Sequence, residues 1–464
     1  MRWLMVGLVF GGCGLLIGAE PTPKENQPCT DGACAAGFRC NELQRCVSIV
    51  DAGPSAGGAA GGATSGGTAG GVTAAGGVAG GSSGGTSGGS SGGGASAGGA
   101  AGGSPAGGAS GGGAVAGGAA GGVAHDVWSV GAPMSTPREG HTATLLLNGR
   151  VLVVGGHDGN ASLGTSEIYD PIANSWSTPI ATSHPAYAHT ATRLNDGTVL
   201  ITGGYAAATG VSNHAHLFDG GVWSQVSDMR SPRLSHAAIA MRDSGVIVVG
   251  GHTTGSGSQT NLVDFYNANT RGFDSRPNDL IARAELGLAE LSTGDVLAFG
   301  GADMSGARVM SARYYPLTNQ WLPTGSLNTQ RTSLAWAKVD DGVLACGGFG
   351  PAGVVIQSCE MFTPVANGWD AGVGSMSSPR RSHTMTELTN GQVLVVGGAI
   401  SGSDGTGSCE LFTPTTGQWA PARPLTAGRL QHTATRLLDG RVLVVGGKTS
   451  PSGTVLNSVE IYTP

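Results

Sequence analysis

Lysine is nearly missing from this chain, which has only Lys24, Lys338 and Lys448 in 464 residues, and its formal net charge is -6. Without a basic stripe on which phosphates could condense, the composition argues against nucleic acid as a partner. Long apolar runs are missing too. The uncharged apolar run from Trp3 to Ala19 is marginal as a bilayer span and has the length of an export signal. No HExxH zinc helix or Asp box occurs, and the GxSxG spacing falls only within the glycine-rich stretch, as at Gly94 to Gly98, where no strand-to-helix nucleophile turn is expected, so no complete catalytic motif is expected. What the chain has in excess is glycine: 85 residues, so heavily concentrated in one stretch that length overstates the folded mass.

Four segments follow from the composition. Residues 1–19 read as a signal peptide with two competing cleavage points. Phe10, Gly11 and Gly12 before Cys13 resemble a bacterial lipobox and make Cys13 the lipidation candidate, while Ile17, Gly18 and Ala19 suit a small-residue peptidase site. Residues 20–50 crowd Cys29, Cys34, Cys40 and Cys46 into a stretch too short to bury a core, so two disulfides are expected, with three pairings open. Residues 51–125 are almost wholly Gly, Ala, Ser and Thr. Such a chain cannot bury enough apolar surface to offset ordering and is expected to be a disordered linker, its ends roughly 45 to 50 Å apart.

From Asp126 onward a motif returns, marked by glycine doublets starting at Gly155, Gly203, Gly250, Gly300, Gly347, Gly397 and Gly446, with spacings of 48, 47, 50, 47, 50 and 49. Each doublet follows a short apolar strand, and that strand follows a turn dipeptide: Asn148 and Gly149 first, then Asp196 and Gly197, Ser244 and Gly245, Thr293 and Gly294, Asp341 and Gly342, Asn390 and Gly391, Asp439 and Gly440. These pairs tolerate the positive φ of two-residue hairpins. A third strand, Ser166 to Pro171 in the first repeat, and a fourth centred on Trp176 complete a unit of four strands, which excludes helical solenoids. Outer aromatics stand at Trp176, Trp223, Phe273, Trp321, Trp369 and Trp419, one short of seven. The seventh is Trp128, ahead of the first doublet, while Pro464 follows directly on a third strand. The expected fold is therefore all-β, a seven-bladed propeller over residues 126–464, closed by an N-terminal outer strand.

Glycine doublet, third-strand aromatic and fourth-strand Trp at these spacings resemble the Kelch repeat over roughly residues 127–464. Phe273 for Trp, and Leu286 and Leu334 where five blades carry His, depart from the pattern in single copies.

Recurrent polar residues read mainly as structure. Arginines precede the first strand at Arg138, Arg233, Arg283, Arg331, Arg380 and Arg429, and acids open the third strand at Glu167, Asp264, Glu360, Glu410 and Glu460. Matching them within blades leaves one mismatch, Arg283 against Ala312, so intrablade ion pairs are expected; blade two has neither partner, carrying Ala186 and His216. A positive ring for acidic peptides, as some Kelch propellers use, is the weaker reading. His141, His189, His236, His383 and His432 recur at one first-strand position and are expected between blades rather than on a metal. No metal or other cofactor is expected. Cys346, Cys359 and Cys409 fill apolar positions, with a Cys346–Cys359 disulfide open to an oxidising compartment.

Export signal, tether, disulfide module and loop-bearing propeller together describe a non-catalytic extracytoplasmic binding protein, secreted or held at the cell surface or outer membrane by a lipid anchor. The propeller is expected to be monomeric, and its loop face to recognise a protein or a glycan. Candidates for that face are His157, Asp158, Tyr205, His252, Asp303, Phe349, Asp404 and Lys448. The resemblance also admits a carbohydrate enzyme. A relative of galactose oxidase would need a Tyr–Cys cross-link, further Tyr and His ligands to copper and a domain beyond Pro464; a mutarotase would need only a polar acid/base pocket, for which Asp158, Glu285, Asp303 and Asp404 are available.

Overall fold

A computed structural model describes residues 126–464, apart from 243–244, 256 and 401–403, and the backbone of 38–40 and 46–48. The segments expected to be an export signal and a linker, with Cys13, Cys29 and Cys34, lie outside the described residues. In the N-terminal unit the short strands Phe38–Cys40 and Cys46–Ser48 pair antiparallel, with Cys40 opposite Cys46. No helix among the described residues is long and apolar enough to cross a membrane.

The larger unit is built on seven antiparallel sheets of four or five strands, one per repeat, with two-stranded hairpins in the loops of blades two and four. Blade one runs Thr142–Leu145, Val151–Val154, Thr165–Asp170 and Ser175–Trp176. It also gains a strand absent from the sequence expectation: Ile180–Ala181 pairs with the far end of Thr165–Asp170. Pro179 explains the split, because it has no N–H with which to continue the ladder. Blade seven takes three strands from the C-terminus, Thr433–Arg436, Val442–Val445 and Val459–Thr463, and its fourth, Val127–Gly131, from the other end of the domain. The closing pair is in register from Val127 opposite Thr463 to Gly131 opposite Val459. Trp128 sits opposite Tyr462, with ring centres 5.1 Å apart, and donates through Nε1 to Arg423 O at 2.7 Å. The same tilted pairing of third-strand aromatic and outer aromatic recurs in every blade, from 4.9 Å at Phe412–Trp419 to 5.4 Å at Phe362–Trp369.

The second strands are buried along their whole length, as Val151–Val154 and Val442–Val445 illustrate, since both faces of each sheet meet a neighbouring blade. The core is accordingly divided into apolar clusters at the seams; Val151, Val153 and Tyr169 of blade one, for example, pack on Leu443, Val445 and Ile461 of blade seven.

The glycine doublets are explained at these seams. The second glycine donates its N–H to the carbonyl of the next blade's clamp position: Gly156 to Ala186 at 2.9 Å, Gly204 to Arg233 at 2.9 Å, and, across the closure, Gly447 to Arg138 at 2.8 Å. Both members have positive φ, +59° and +93° for Gly155 and Gly156, and a Cβ on Gly156 would come within 2.9 Å of the His141 side chain. Only glycine meets both demands without strain.

Candidate functional site

Each repeat brings the backbone to the channel end of its blade twice, once before the first strand and once just after the glycine doublet. The two passages bridge each other in every blade: Glu139 with His157, Tyr187 with Tyr205, Leu234 with His252, Ala284 with Ala302, Thr332 with Phe349, Arg381 with Ala399, and Leu430 with Lys448. Next to the first passage stands a residue of positive φ in every blade, Gly140, Ala188, Ser235, Glu285, Ser333, Ser382 or Gln431. Their backbones are linked from blade to blade: Ala188 N–H to Gly140 O, Ser235 to Ala188, Glu285 to Ser235, Gln431 to Ser382 and Gly140 to Gln431, at 2.9 to 3.3 Å. Left-handed backbone at non-glycine residues costs on the order of 1 kcal/mol and persists where neighbours over-determine it, as this belt does.

The scaffold repeats, but the side chains on it do not. Lys448 Nζ lies 2.6 Å from Glu139, and His157 Nδ1 lies 4.0 Å from the same carboxylate. The His157 ring meets Tyr187 edge-on at 5.6 Å, and Tyr187 meets Tyr205 the same way at 5.6 Å. Burial pushes the Tyr187 phenol up. His252 lies 3.9 Å from Glu285, whose carboxylate also accepts from Thr332 Oγ1 at 3.0 Å and from Ser333 Oγ. Burial pushes the Glu285 carboxyl up, but these hydrogen bonds outweigh it and hold the acid below its ordinary value.

Two rim residues stand out. Arg381 lies over the Phe349 ring, 5.0 Å from its centre, and its side chain has no hydrogen-bond acceptor or carboxylate partner among the described residues, although it is 93 % buried. Beside it, Ser382 Oγ is buried and unpartnered. Sequence reasoning missed both, although Arg381 carries a signal: it follows the clamp arginine Arg380 directly, where sister repeats carry Glu139, Tyr187, Leu234, Ala284, Thr332 and Leu430.

Of the face residues expected from sequence, the structure brings His157, Tyr205, His252, Phe349 and Lys448 to this rim. Asp158 instead accepts from the N–H groups of Asn160 and Ala161 at 2.7 and 2.8 Å; these bonds hold it below the ordinary carboxylate range, and it shapes its own loop. Asp303 accepts from Arg308 Nε at 2.6 Å within its hairpin, and Asp404 is exposed.

The arginine–acid pairs lie inside the blades. Arg138 reaches Glu167 at 2.9 Å, Arg233 reaches Asp264 at 2.7 Å, Arg331 reaches Glu360 at 2.8 Å, Arg380 reaches Glu410 at 2.5 Å and Arg429 reaches Glu460 at 2.6 Å. Each guanidinium also donates to the first carbonyl of its own glycine doublet, as Arg138 does to Gly155 at 2.8 Å. In the four glutamates the second carboxylate oxygen accepts a backbone N–H, as Glu167 does from Ser135 at 2.9 Å, while that of Asp264 accepts from the Arg230 side chain. Buried charge is tolerable there because almost every lone pair is used. The mismatch in blade four is resolved by a residue the sequence reading passed over: Arg283 pairs with Asp279 at 2.7 Å. Asp279 stands where sister repeats bury Met134, Met229, Leu327, Met376 and Leu425, so an acid in an apolar register was the available signal.

The recurrent histidines lie at the seams, each facing the preceding blade. His141 Nε2 meets Thr433 Oγ1 at 3.0 Å, His189 meets Thr142 at 2.9 Å, His236 meets Thr190 at 3.0 Å and Thr202 at 2.9 Å, and His432 meets Thr384 at 3.0 Å. Where the preceding blade offers Ala237 or Gly287 in place of threonine, the seam residue is Leu286 or Leu334. His383 breaks the rule: it faces blade five, which carries Ala335, and both its ring nitrogens are buried without a partner. Cys346 and Cys359, opposite each other on adjacent strands of blade five, form a disulfide, and Cys409 is a buried free thiol.

Comparison with known proteins agrees with this architecture. A family model described as the Kelch motif matches residues 140–178. Kelch-like protein 26 of Danio rerio is 27% identical over 139 residues, which is 29% of this chain and 23% of that protein, so the chain spans about a quarter of the length of this curated relative. Among solved structures, one described as a novel fungal alcohol oxidase with catalytic diversity among the AA5 family, in complex with copper, superposes with a TM-score of 0.58 at 17% identity, covering 72% of this chain and 76% of that one. At that identity the likeness speaks for the fold alone.

Proposed function

Taking as premise that this chain is a seven-bladed Kelch-type β-propeller, we propose that it is a non-catalytic binding protein whose rim around the channel mouth recognises a protein or a glycan outside the cytoplasm. The observation that carries the reading is the contrast at the rim. The backbone bridge and the positive-φ residue beside it repeat in every blade, while the bridged positions carry Glu139 and His157, two tyrosines, His252, Phe349, Arg381 and Lys448 in succession. An invariant frame with side chains that differ from blade to blade is the arrangement that recognition needs. Arg381 supports it further, because its Nε is buried without an acceptor, a cost that a ligand supplying one relieves.

The test is binding of the full chain to a glycan array and to isolated cell-surface proteins, set beside Arg381→Ala and Phe349→Ala. The reading expects a defined ligand whose binding falls at least tenfold in both variants. Ligands held equally well by both would move recognition away from the rim.

A second reading, a carbohydrate enzyme, draws support from the partly buried Glu285 with His252 and Ser333 beside it, an acid and a base within reach of one another. It expects the full chain to accelerate sugar anomerisation and Glu285→Gln to abolish that rate.

A further inference from the structure

The bridged rim positions and the belt residues beside them carry four fixed charges, Glu139, Glu285, Arg381 and Lys448, and three of these are answered where they stand. Lys448 Nζ lies 2.6 Å from Glu139, and Glu285 accepts from Thr332 Oγ1 at 3.0 Å and from Ser333 Oγ. The fourth is not. Arg381 is 7% exposed, its Nε is buried without an acceptor, and no carboxylate pairs with it among the described residues. Burial pushes its guanidinium below the ordinary value, and no acid pushes it back as Glu167 does for Arg138.

The belt is interrupted at the same seam, between blades five and six. Elsewhere a belt residue donates its N–H to the belt carbonyl of the preceding blade, as Ser235 does to Ala188 at 2.9 Å and Gln431 to Ser382 at 3.1 Å. Among the described residues Ser333 and Ser382 make no such bond, and Ser382 Oγ is also buried without a partner. Phe349 of blade five lies under the Arg381 guanidinium, 5.0 Å from ring centre to Cζ. That contact uses the flat face of the cation and not its N–H edge. The residue bridged to Arg381 is Ala399, where five sister blades carry His157, Tyr205, His252, Phe349 and Lys448, so a small side chain stands beside the cation.

We propose that Arg381, with Ser382 beside it, is a site for a single carboxylate on an otherwise uncharged, hydroxyl-rich ligand, namely a uronic-acid sugar within a glycan. The inference rests on the rim reading given above and names the ligand class for it. A guanidinium edge matches both oxygens of a carboxylate, and the hydroxyl and N–H of Ser382 supply further donors. Charge decides between an acidic glycan and an acidic peptide. A ligand with several carboxylates would find one unanswered cation and would face the acids Glu139 and Glu285 as well. One carboxylate meets Arg381 and leaves both acids with the partners they have. The remainder of the rim is suited to a sugar, since Tyr187, Tyr205, His252 and Thr332 combine ring surface with uncharged hydrogen-bonding groups.

The experiment measures binding of the full chain, by calorimetry, to oligosaccharides carrying one glucuronate or galacturonate residue, to their methyl esters and to a tetraglutamate peptide. Arg381→Gln and Ser382→Ala are measured beside the wild type. At least one acidic sugar should bind saturably, with its methyl ester and Arg381→Gln at least tenfold weaker and Ser382→Ala about threefold weaker. Both variants should unfold at or above the wild-type temperature, because each removes an unsatisfied buried group, and this separates a lost contact from a lost fold. The proposal is overturned if no acidic sugar binds, if acid and ester bind alike, or if Arg381→Gln binds as well as the wild type. Tetraglutamate bound more tightly than every sugar would overturn it too, and would make the ligand an acidic peptide. An uncharged rim ligand found on the glycan array would sink this inference and leave the binding reading standing, whereas the absence of any ligand would remove both.

Discussion

His383 should be a liability to its own fold, and replacing it with leucine should make the protein more stable. Four sister histidines place Nε2 on a threonine of the preceding blade, whereas His383 faces Ala335 and leaves both nitrogens buried and unsatisfied. An unsatisfied buried polar group costs about 1 to 3 kcal/mol, so His383→Leu should stabilise by that amount near pH 8. Leucine is accommodated at this position in two seams already, as Leu286 and Leu334. A second contribution depends on pH. Burial, with the Arg380 and Arg331 charges adding to it, lowers His383 from 6.5 to about 3, so the folded state resists a proton that the unfolded chain accepts. Stability is therefore complete above pH 6.5 and is lost progressively as pH falls from there toward 3; at pH 5 the loss for one such histidine is about 2 kcal/mol. His383→Leu removes that loss, so its advantage over wild type should widen by about 2 kcal/mol between pH 8 and pH 5. Urea unfolding at the two pH values reads both quantities. A companion, Ala335→Thr, gives His383 a hydroxyl and should stabilise at pH 8 without changing the pH slope as leucine does. Equal or lower stability of His383→Leu at both pH values would refute the reasoning.

The other predictions concern the clamp, the glycines and the thiol. Arg380→Ala and Glu410→Ala should each cost about 3 to 5 kcal/mol, because each strands a buried charge, while the double variant costs little more than either single one; strictly additive losses in a urea cycle would contradict the ion pair. Gly397→Ala should lower the thermal midpoint sharply, since its φ is +62° and an added Cβ would lie 2.7 Å from Arg429 O in the next blade; an unchanged midpoint would remove the seam argument. Cys409 is buried, and burial pushes its thiol up to about 12, so mass-mapped alkylation at pH 8 should leave it unmodified in native protein and label it after unfolding.

Much of the fold was legible because the repeat is written in residues that only one geometry requires. A doublet of glycines before a loop, a turn dipeptide between two apolar runs and an outer Trp recur often enough to count the blades, and the displaced Trp128 identifies the strand that crosses the closure. The intrablade clamps were legible for a related reason: Arg380 and Glu410 stand in fixed register, and the register alone matches partners. Asp279 was missed because it lies outside that register, four residues before Arg283, at a position where sister repeats bury apolar side chains. The rule that joins His189 to Thr142 was also present in the letters, but it links neighbouring repeats, and only the stacking of one blade on the next shows which pairs meet. The rim was the least legible part. Its positions are defined by backbone bridges such as Arg381 with Ala399, and nothing in the sequence around Arg381 shows that its guanidinium lacks an acceptor.

The central claim is that the two ends of the propeller pair as adjacent strands of one sheet, and hydrogen exchange on the full chain tests it most directly. With residues 127–131 deleted, the amides of Val459–Thr463 that face Val127–Gly131 should lose protection and the blade-seven seam should loosen, while blades three to five stay as protected as before. Protection of Val459–Thr463 identical to that of the intact chain would mean that the ring is not closed by this strand.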